Sequence, residues 1–164
     1  MSTKAIIGYI QPDGTVVAGW QWYDGSGLLP ALRRHFDTVE KIQELVKNGV
    51  WSAIITPRHT PDLSWYQHCS DKYIITKAGK CYIAKKINLN VDFLVEGQDN
   101  IKVYKGALIF KNVLTAHGQG AHYFYLFNPK SGKWRTLNAY SYECLKTALS
   151  KIKPNDVINH IDNF

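Results

Sequence analysis

The residue types best suited to holding a ligand lie close together at residues 15–36. An aromatic-rich strand runs into a glycine turn, and the turn opens a helix with two arginines on its outer face. Aromatic rings stack on flat rings, N–H groups at a glycine turn hold anions, and guanidinium groups bind phosphate. The stretch therefore predicts a site for a nucleotide-like anionic ligand. The predicted ligand-binding residues are Trp20, Trp22, Tyr23, Gly25, Gly27, Arg33, Arg34 and, from a later segment, Arg58.

The glycine turn is the least specific part of this pattern. Gly25-Ser26-Gly27 precedes a helix, where successive N–H groups and the helix dipole favour negative charge. The turn lacks the Lys-Ser/Thr pair of a P-loop. The alternative interpretation is an ordinary turn, with Ser26 as the N-cap of the helix.

A β-hairpin is predicted to carry the aromatic residues. Strands over residues 4–10 and 15–22 are joined by the Pro12-Asp13-Gly14 turn. The alternation of a strand places Trp20 and Trp22 on one face, and Gly19 leaves a gap on the other. An open cleft would expose the two indoles to a ligand, whereas burial in the core is the ordinary fate of a central strand.

Helices are predicted before and after the later strands in the chain. Leu28, Leu32 and Phe36 form the apolar stripe of the first helix, and a second helix begins at Asp37 and ends at Asn48-Gly49. Residues 57–72 are predicted to be an irregular loop. Strands are expected at residues 50–56, 73–76, 81–87, 103–110, 122–128 and 133–137, and a C-terminal helix is expected from residue 141 to Pro154.

This pattern predicts one α+β domain spanning residues 1–164, with a mainly antiparallel sheet, two N-terminal helices and a C-terminal helix. The 164 residues include 45% hydrophobic and 20% charged residues, as in ordinary globular proteins. Three cysteines without a CxxC pair, and the absence of a signal peptide or an apolar run of membrane-spanning length, predict a cytoplasmic protein without a membrane partner.

The charge of the chain favours anionic partners. The net charge is +7, which favours contact with phosphates or with an acidic protein surface. Lysines crowd one predicted hairpin with tyrosine, an arrangement that can hold single-stranded nucleic acid by charge and stacking. The residues of this alternative site are Lys77, Lys80, Lys85, Lys86 and Tyr82.

Catalytic and metal-binding motifs are weak. His117 and His122 flank a glycine-rich turn and form a candidate second site for a phosphoryl group, as in a small hydrolase or transferase. No paired carboxylate or cysteine accompanies them, and no histidine has a recognised metal-ligand spacing, so no metal and no cofactor are predicted.

Two parts of the chain resemble a group of small phage-encoded proteins. The first carries Ile7-Gly8-Tyr9, two Asp-Gly turns and a helix that ends in His35-Phe36. The second is the strand at 122–127 followed by Gly132-Lys133-Trp134. The chain departs from the family after the second Asp-Gly, where an aromatic-Pro step is usual.

The resemblance implies an accessory phage protein of the host bacterial cytoplasm that neutralises a host component. Together with the residues at 15–36, it favours a non-enzymatic binding protein that sequesters a nucleotide-like ligand or blocks a host defence protein. Nucleic-acid binding and a small nucleotide hydrolase or transferase are the alternatives. The aromatic residues also leave self-association into a homo-oligomer open.

Overall fold

The structure is a computed structural model that describes residues 3–69, 71–87, 101–113 and 121–138, together with Thr147. The helices within these residues are α1 (Leu29–His35), α2 (Val39–Val46) and α3 (Thr60–His68). The strands are β1 (Ala5–Ile10), β2 (Val16–Gln21), β3 (Val50–Trp51), β4 (Ala53–Ile55), β5 (Tyr73–Ala78), β6 (Cys81–Lys86), β7 (Ile101–Tyr104), β8 (Ala107–Phe110), β9 (Tyr123–Asn128) and β10 (Lys133–Asn138).

Two sheets organise these strands. The main sheet has the order β10-β9-β1-β2-β8-β7, and β3 pairs with β2 beside it. Its neighbours are antiparallel except for two pairs, β1 with β9 and β2 with β3. A smaller antiparallel sheet has the order β4-β6-β5. The predicted α+β class with a mainly antiparallel sheet is confirmed.

The predicted N-terminal hairpin is also confirmed. Gly14 adopts a φ of 87°, and its N–H donates to the carbonyl of Gln11 at 2.9 Å to close the turn. A positive φ is accessible to glycine without steric cost, which explains its place in the turn. β1 and β2 pair antiparallel over their full lengths, and all of their residues are buried.

Both faces of the main sheet are buried, so the side chains of the hairpin lie in two apolar clusters. One face buries Ile6, Trp20 and Phe124 in a single apolar cluster. The other face belongs to a second cluster, which also includes Leu32 of α1 and Ile42 of α2. Apolar clusters therefore cover both faces of β2, while β1 and β8 pair with its edges.

The first two helices lie roughly where their sequence signals place them. α1 has Pro30 in its first turn, and Leu32 and Phe36 of the predicted stripe are buried. α2 is capped by Thr38, whose hydroxyl accepts the Lys41 N–H at 3.3 Å, rather than by Asp37. Gly49, with a φ of 70°, follows the end of α2 as predicted.

The chain passes from the main sheet to the small sheet at Ser52. The Ser52 N–H donates to the carbonyl of Ala84 at 2.7 Å, and its carbonyl accepts the Tyr23 N–H at 3.0 Å. The single strand predicted at 50–56 is therefore two short strands, β3 and β4, which belong to different sheets.

Two other predictions are wrong. Residues 57–72 are not an irregular loop, because they contain α3, which has a proline in its first turn. Residues 103–110 are not one strand, because Lys105 and Gly106, with φ of 49° and 87°, turn the chain between β7 and β8. The predicted C-terminal helix lies outside the described residues, apart from the helical Thr147.

Candidate functional site

A hollow of about 620 Å³ lies between the start of α1, β4 and α3. A smaller hollow of about 200 Å³ adjoins it and shares four lining residues with it, namely Gly27, Ala31, Thr56 and His59. We call the two together the α1–α3 groove. The volume of the larger hollow falls in the range of small-molecule sites, about 300–1,000 Å³.

One end of the groove, which we call the cationic end, is lined by Arg34, His35 and Arg58. Burial lowers the pKa of His35 below its ordinary value, and the positive charges of Arg34, Lys80, Arg58 and Lys41 lower it further. Four positive charges therefore act on the His35 imidazole. Within the described part of the chain, neither Arg34, Arg58 nor Lys80 forms an ion pair. Cations gathered without carboxylate partners suit an anionic ligand.

The other end, which we call the ring end, is lined by Trp65 and Tyr66 of α3, and Tyr73 of β5 packs against these two rings. The ring of Tyr66 lies 4.8 Å from that of Trp65 and 4.9 Å from that of Tyr73, edge to face in both cases. Trp65 is 55% exposed, and Tyr23, which follows β2, is 41% exposed. Of these two exposed residues, Trp65 lines the large hollow, where its ring can stack on a planar ligand.

Two carboxylates accompany these rings. Asp24 and Asp62 line the large hollow together with Tyr66. Burial raises the pKa of Tyr66 to about 12, and Tyr73, Asp24, Asp62 and Tyr23 contribute to the rise. The negative charges of both aspartates therefore act on the Tyr66 hydroxyl.

A buried glutamine positions this end of the groove. Gln21, 1% exposed, accepts the indole N–H of Trp51 on Oε1 at 2.9 Å. Its Nε2 donates to the carbonyl of Tyr23 at 2.6 Å and to that of Asp24 at 3.4 Å. The Trp51 ring lies over Gly19 and fills the gap that this glycine leaves on the strand. The amide of Gln21 therefore fixes the turn that carries Tyr23 and Asp24.

His59 lies where the two hollows meet. Its Nδ1 is 2.7 Å from the hydroxyl of Thr56, and its backbone N–H donates to the Thr56 carbonyl at 3.0 Å. The residue precedes α3 directly, so the helix start and Thr56 together hold the imidazole at the centre of the groove.

The predicted anion nest at Gly25 to Gly27 is filled by the protein itself. The Gly25 N–H donates to the Thr3 carbonyl at 2.8 Å, and the Leu28 N–H donates to the Tyr125 hydroxyl at 3.2 Å. That hydroxyl in turn donates to the Gly25 carbonyl at 2.6 Å. Gly25 is therefore a structural residue, whereas Gly27 lines the groove.

The prediction of Ser26 as an N-cap is wrong. The N-cap position of α1 falls to Leu28, and no side chain caps the helix. Ser26 instead lines the large hollow. The Tyr125 hydroxyl accepts the N–H of Leu28, the N-cap residue itself, and so holds the turn that precedes the helix.

The two predicted indoles do not line the groove. Trp20 is 1% exposed within the core, so a ligand cannot reach its ring. Trp22 is partly buried against the same cluster, 6.0 Å from Trp20, with the Lys4 ammonium 4.7 Å from its ring centre. The aromatic residues that do line the large hollow are Trp65 and Tyr66.

The two consecutive arginines of α1 line different hollows. Arg34 lines the groove, whereas Arg33 borders another hollow of about 380 Å³ with Asp37 and the β9–β10 turn. Neighbouring residues of a helix are about 100° apart around its axis, so they face different surroundings. Arg33 therefore does not join the predicted site.

The lysine-rich hairpin is also divided between two faces. Lys77 lies opposite Tyr82 in the β5–β6 register, and the face that they share also carries Lys86. Lys85 is on the other face, and its ammonium donates to the Asn48 carbonyl at 3.1 Å. Lys80 occupies the turn, where its charge acts on His35. The predicted nucleic-acid residues thus do not form one surface.

The predicted histidine pair is only partly described. His122 Nδ1 accepts the Lys4 N–H at 3.3 Å, and the His122 N–H donates to the Lys4 carbonyl at 2.9 Å. His122 thus extends the pairing of the neighbouring strands β1 and β9. His117 lies outside the described residues, so a site formed by the pair stays a prediction.

Sequence reasoning missed most of the ring end. The missed residues are Gln21, Asp24, Asp62, Trp65, Tyr66 and Tyr73. A signal was present in Pro61 followed by an acidic residue, which is a helix start, with the Trp65-Tyr66 pair one turn later.

Comparisons with known protein families, with characterised proteins and with solved structures found no match for this chain. The resemblance to small phage-encoded proteins therefore stays a prediction. In the described part of the chain, no helix is long and apolar enough to span a bilayer. No group of three His, Cys, Asp or Glu side chains there is placed to hold a metal ion.

Proposed function

We propose that this protein is a non-enzymatic binding protein that sequesters a nucleotide-like ligand in the α1–α3 groove. The ligand's phosphate would lie at the cationic end, near Arg34 and Arg58, and its planar ring at the ring end, near Trp65. In a phage-encoded protein, such sequestration would keep a nucleotide from a host defence protein. Direct blocking of a host protein is the other form of the same hypothesis.

The observation that supports the proposal is the polarity of the groove. Cations without ion-pair partners among the described residues stand at one end, and exposed rings stand at the other. Nucleotides have the same division between an anionic and a planar aromatic part. Charge-assisted hydrogen bonds to the phosphate and stacking on the base would both contribute to binding.

Titration calorimetry against mono-, di- and triphosphates of the common nucleosides tests the proposal. Arg34→Ala or Arg58→Ala should weaken binding about tenfold or more, because a hydrogen bond to a charged group contributes about 1.5–3 kcal/mol. Arg33→Ala is the matched control, since it removes the same side chain from the same helix outside the groove. It should leave the affinity unchanged.

Two results would overturn the proposal. One is the absence of binding by any nucleotide at a protein concentration suited to micromolar affinity. The other is equal weakening by Arg33→Ala and Arg34→Ala, which would indicate general attraction to a basic surface instead of a site.

Nucleic-acid binding keeps one supporting observation, the shared face of Lys77, Tyr82 and Lys86. This alternative predicts an affinity for single strands that falls steeply with salt. The affinity should also fall with Lys77→Ala/Lys86→Ala and be indifferent to Arg34→Ala. Salt-insensitive or absent binding would dismiss it.

A further inference from the structure

The ring end carries an electrostatic feature that phosphate binding does not need. Asp24 and Asp62 bring two carboxylates into a hollow whose other end gathers positive charge. In the part of the chain that the structure describes, neither carboxylate has an ion-pair partner. A site for an anion alone would gain nothing from them, because they repel phosphate.

An ionised carboxylate accepts hydrogen bonds and cannot donate one. A ligand group beside Asp24 or Asp62 therefore has to supply N–H or O–H donors, and a carbonyl oxygen there would be repelled. The nucleobases differ in this respect. Adenine, cytosine and guanine carry an amino group, whereas uracil and hypoxanthine carry oxygen where cytosine and adenine carry nitrogen.

The backbone at both aspartates is also held in place. Asp24 adopts a φ of 54°, and its carbonyl and that of Tyr23 accept from the buried amide of Gln21. Asp62 lies in the first turn of α3, one turn before the rings of Trp65 and Tyr66. A base stacked on the exposed Trp65 would lie in the hollow that both carboxylates line.

On the basis of the proposed function, we infer that the groove selects nucleotides whose base carries an exocyclic amino group. Asp24 and Asp62 are the specificity-determining residues of this selection, and Gln21 positions Asp24. Discrimination would combine an attractive hydrogen bond to the amino group with repulsion of a carbonyl oxygen at the same place.

Matched ligand pairs test the inference by calorimetry. Adenosine and inosine monophosphates form one pair, and cytidine and uridine monophosphates form the other. Each pair differs by an exocyclic amino group against an oxygen, and the adjacent ring nitrogen accepts in the amino member and carries N–H in the oxo member. We expect the amino member to bind about tenfold or more tightly, because a hydrogen bond to a charged group contributes about 1.5–3 kcal/mol.

Asp24→Asn and Asp62→Asn should bring the affinity ratio of each pair towards one, because an amide donates as well as accepts. The ratio is the readout, since loss of a negative charge strengthens the binding of both members. Asp37→Asn is the matched control, because Asp37 pairs with Lys41 outside the groove. Both aspartates of the groove are exposed, so thermal unfolding should stay unchanged and serve as the folding check.

The outcomes separate the two hypotheses. Equal affinity within each pair, or tighter binding of the oxo member, would overturn the inference and leave the proposed function in place if affinity still depends on Arg34. A ratio that Asp37→Asn lowers as much as Asp24→Asn would also overturn it. Absence of binding by all four nucleotides would remove the proposed function and the inference together.

Discussion

Replacement of Tyr125 by phenylalanine tests whether the glycine turn is a structural element. The buried hydroxyl accepts from the Leu28 N–H at 3.2 Å and donates to the Gly25 carbonyl at 2.6 Å. Tyr125→Phe removes both bonds without changing the shape of the ring. Each lost bond contributes about 0.5–1.5 kcal/mol, and stranding a buried partner raises the cost towards about 1–3 kcal/mol. We therefore expect a loss of about 2–3 kcal/mol in the free energy of unfolding.

Urea and thermal unfolding measure this loss directly. For a chain of this size, about 1 kcal/mol shifts the melting temperature by about 2–4 °C, so a decrease of about 4–12 °C is expected. Tyr123→Phe is the matched control, because Tyr123 is the ring stacked on Tyr125 and its hydroxyl forms no described hydrogen bond. If Tyr125→Phe costs no more than Tyr123→Phe, the turn is not held by this hydroxyl and the assignment of Gly25 as structural fails.

Three further predictions concern the surroundings of the groove. Gly19→Ala should destabilise the protein by about 1–3 kcal/mol in urea unfolding, because its methyl group would overlap the Trp51 ring; a neutral effect would contradict the packing of that indole. Gln21→Ala should cost about 2–3 kcal/mol, because it leaves the buried Trp51 N–H without its acceptor, and it should weaken nucleotide binding as well; unchanged stability and affinity would refute the positioning role. Burial raises the pKa of Tyr66 to about 12 from an ordinary 10, so the contribution of Tyr66 to stability is complete below pH 10 and is lost as the pH rises towards 12. Tyr66→Phe should therefore reduce the fall in the free energy of unfolding at alkaline pH. An identical fall in both proteins would contradict the burial of this hydroxyl.

Local signals in the sequence predicted the elements that local interactions determine. The apolar stripe through Leu32 and Phe36 and the glycine turn at Gly14 depend on residues a few positions apart, and both predictions are confirmed. Alternation likewise placed Trp20 on the same face as Val16. That face is closed by an apolar cluster that includes Leu108 and Phe110 of β8, which lie about 90 positions further along the chain and which no local pattern connects to Trp20.

The candidate site was predictable only in part for the same reason. Gly27, Arg34 and Arg58 were expected to bind the ligand and do line the groove. The ring end combines the end of β2 with α3, and α3 was missed because its apolar residues form no stripe along one face. The predicted anion-binding turn at Gly25 instead accepts a hydrogen bond on its carbonyl from Tyr125, which lies 100 residues further along the chain.

The central claim is that the cationic end of the groove binds the phosphate of a nucleotide. An NMR titration of the His35 imidazole against pH, with and without saturating adenosine monophosphate, tests it most directly, and His35→Gln assigns the signal. Arg34, Lys80 and Arg58 now help to hold the His35 pKa below its ordinary value. A phosphate beside them would favour the imidazolium, so the account predicts that the His35 pKa rises when the nucleotide binds. A His35 pKa that stays unchanged while calorimetry shows the nucleotide bound would place the phosphate elsewhere and contradict the account.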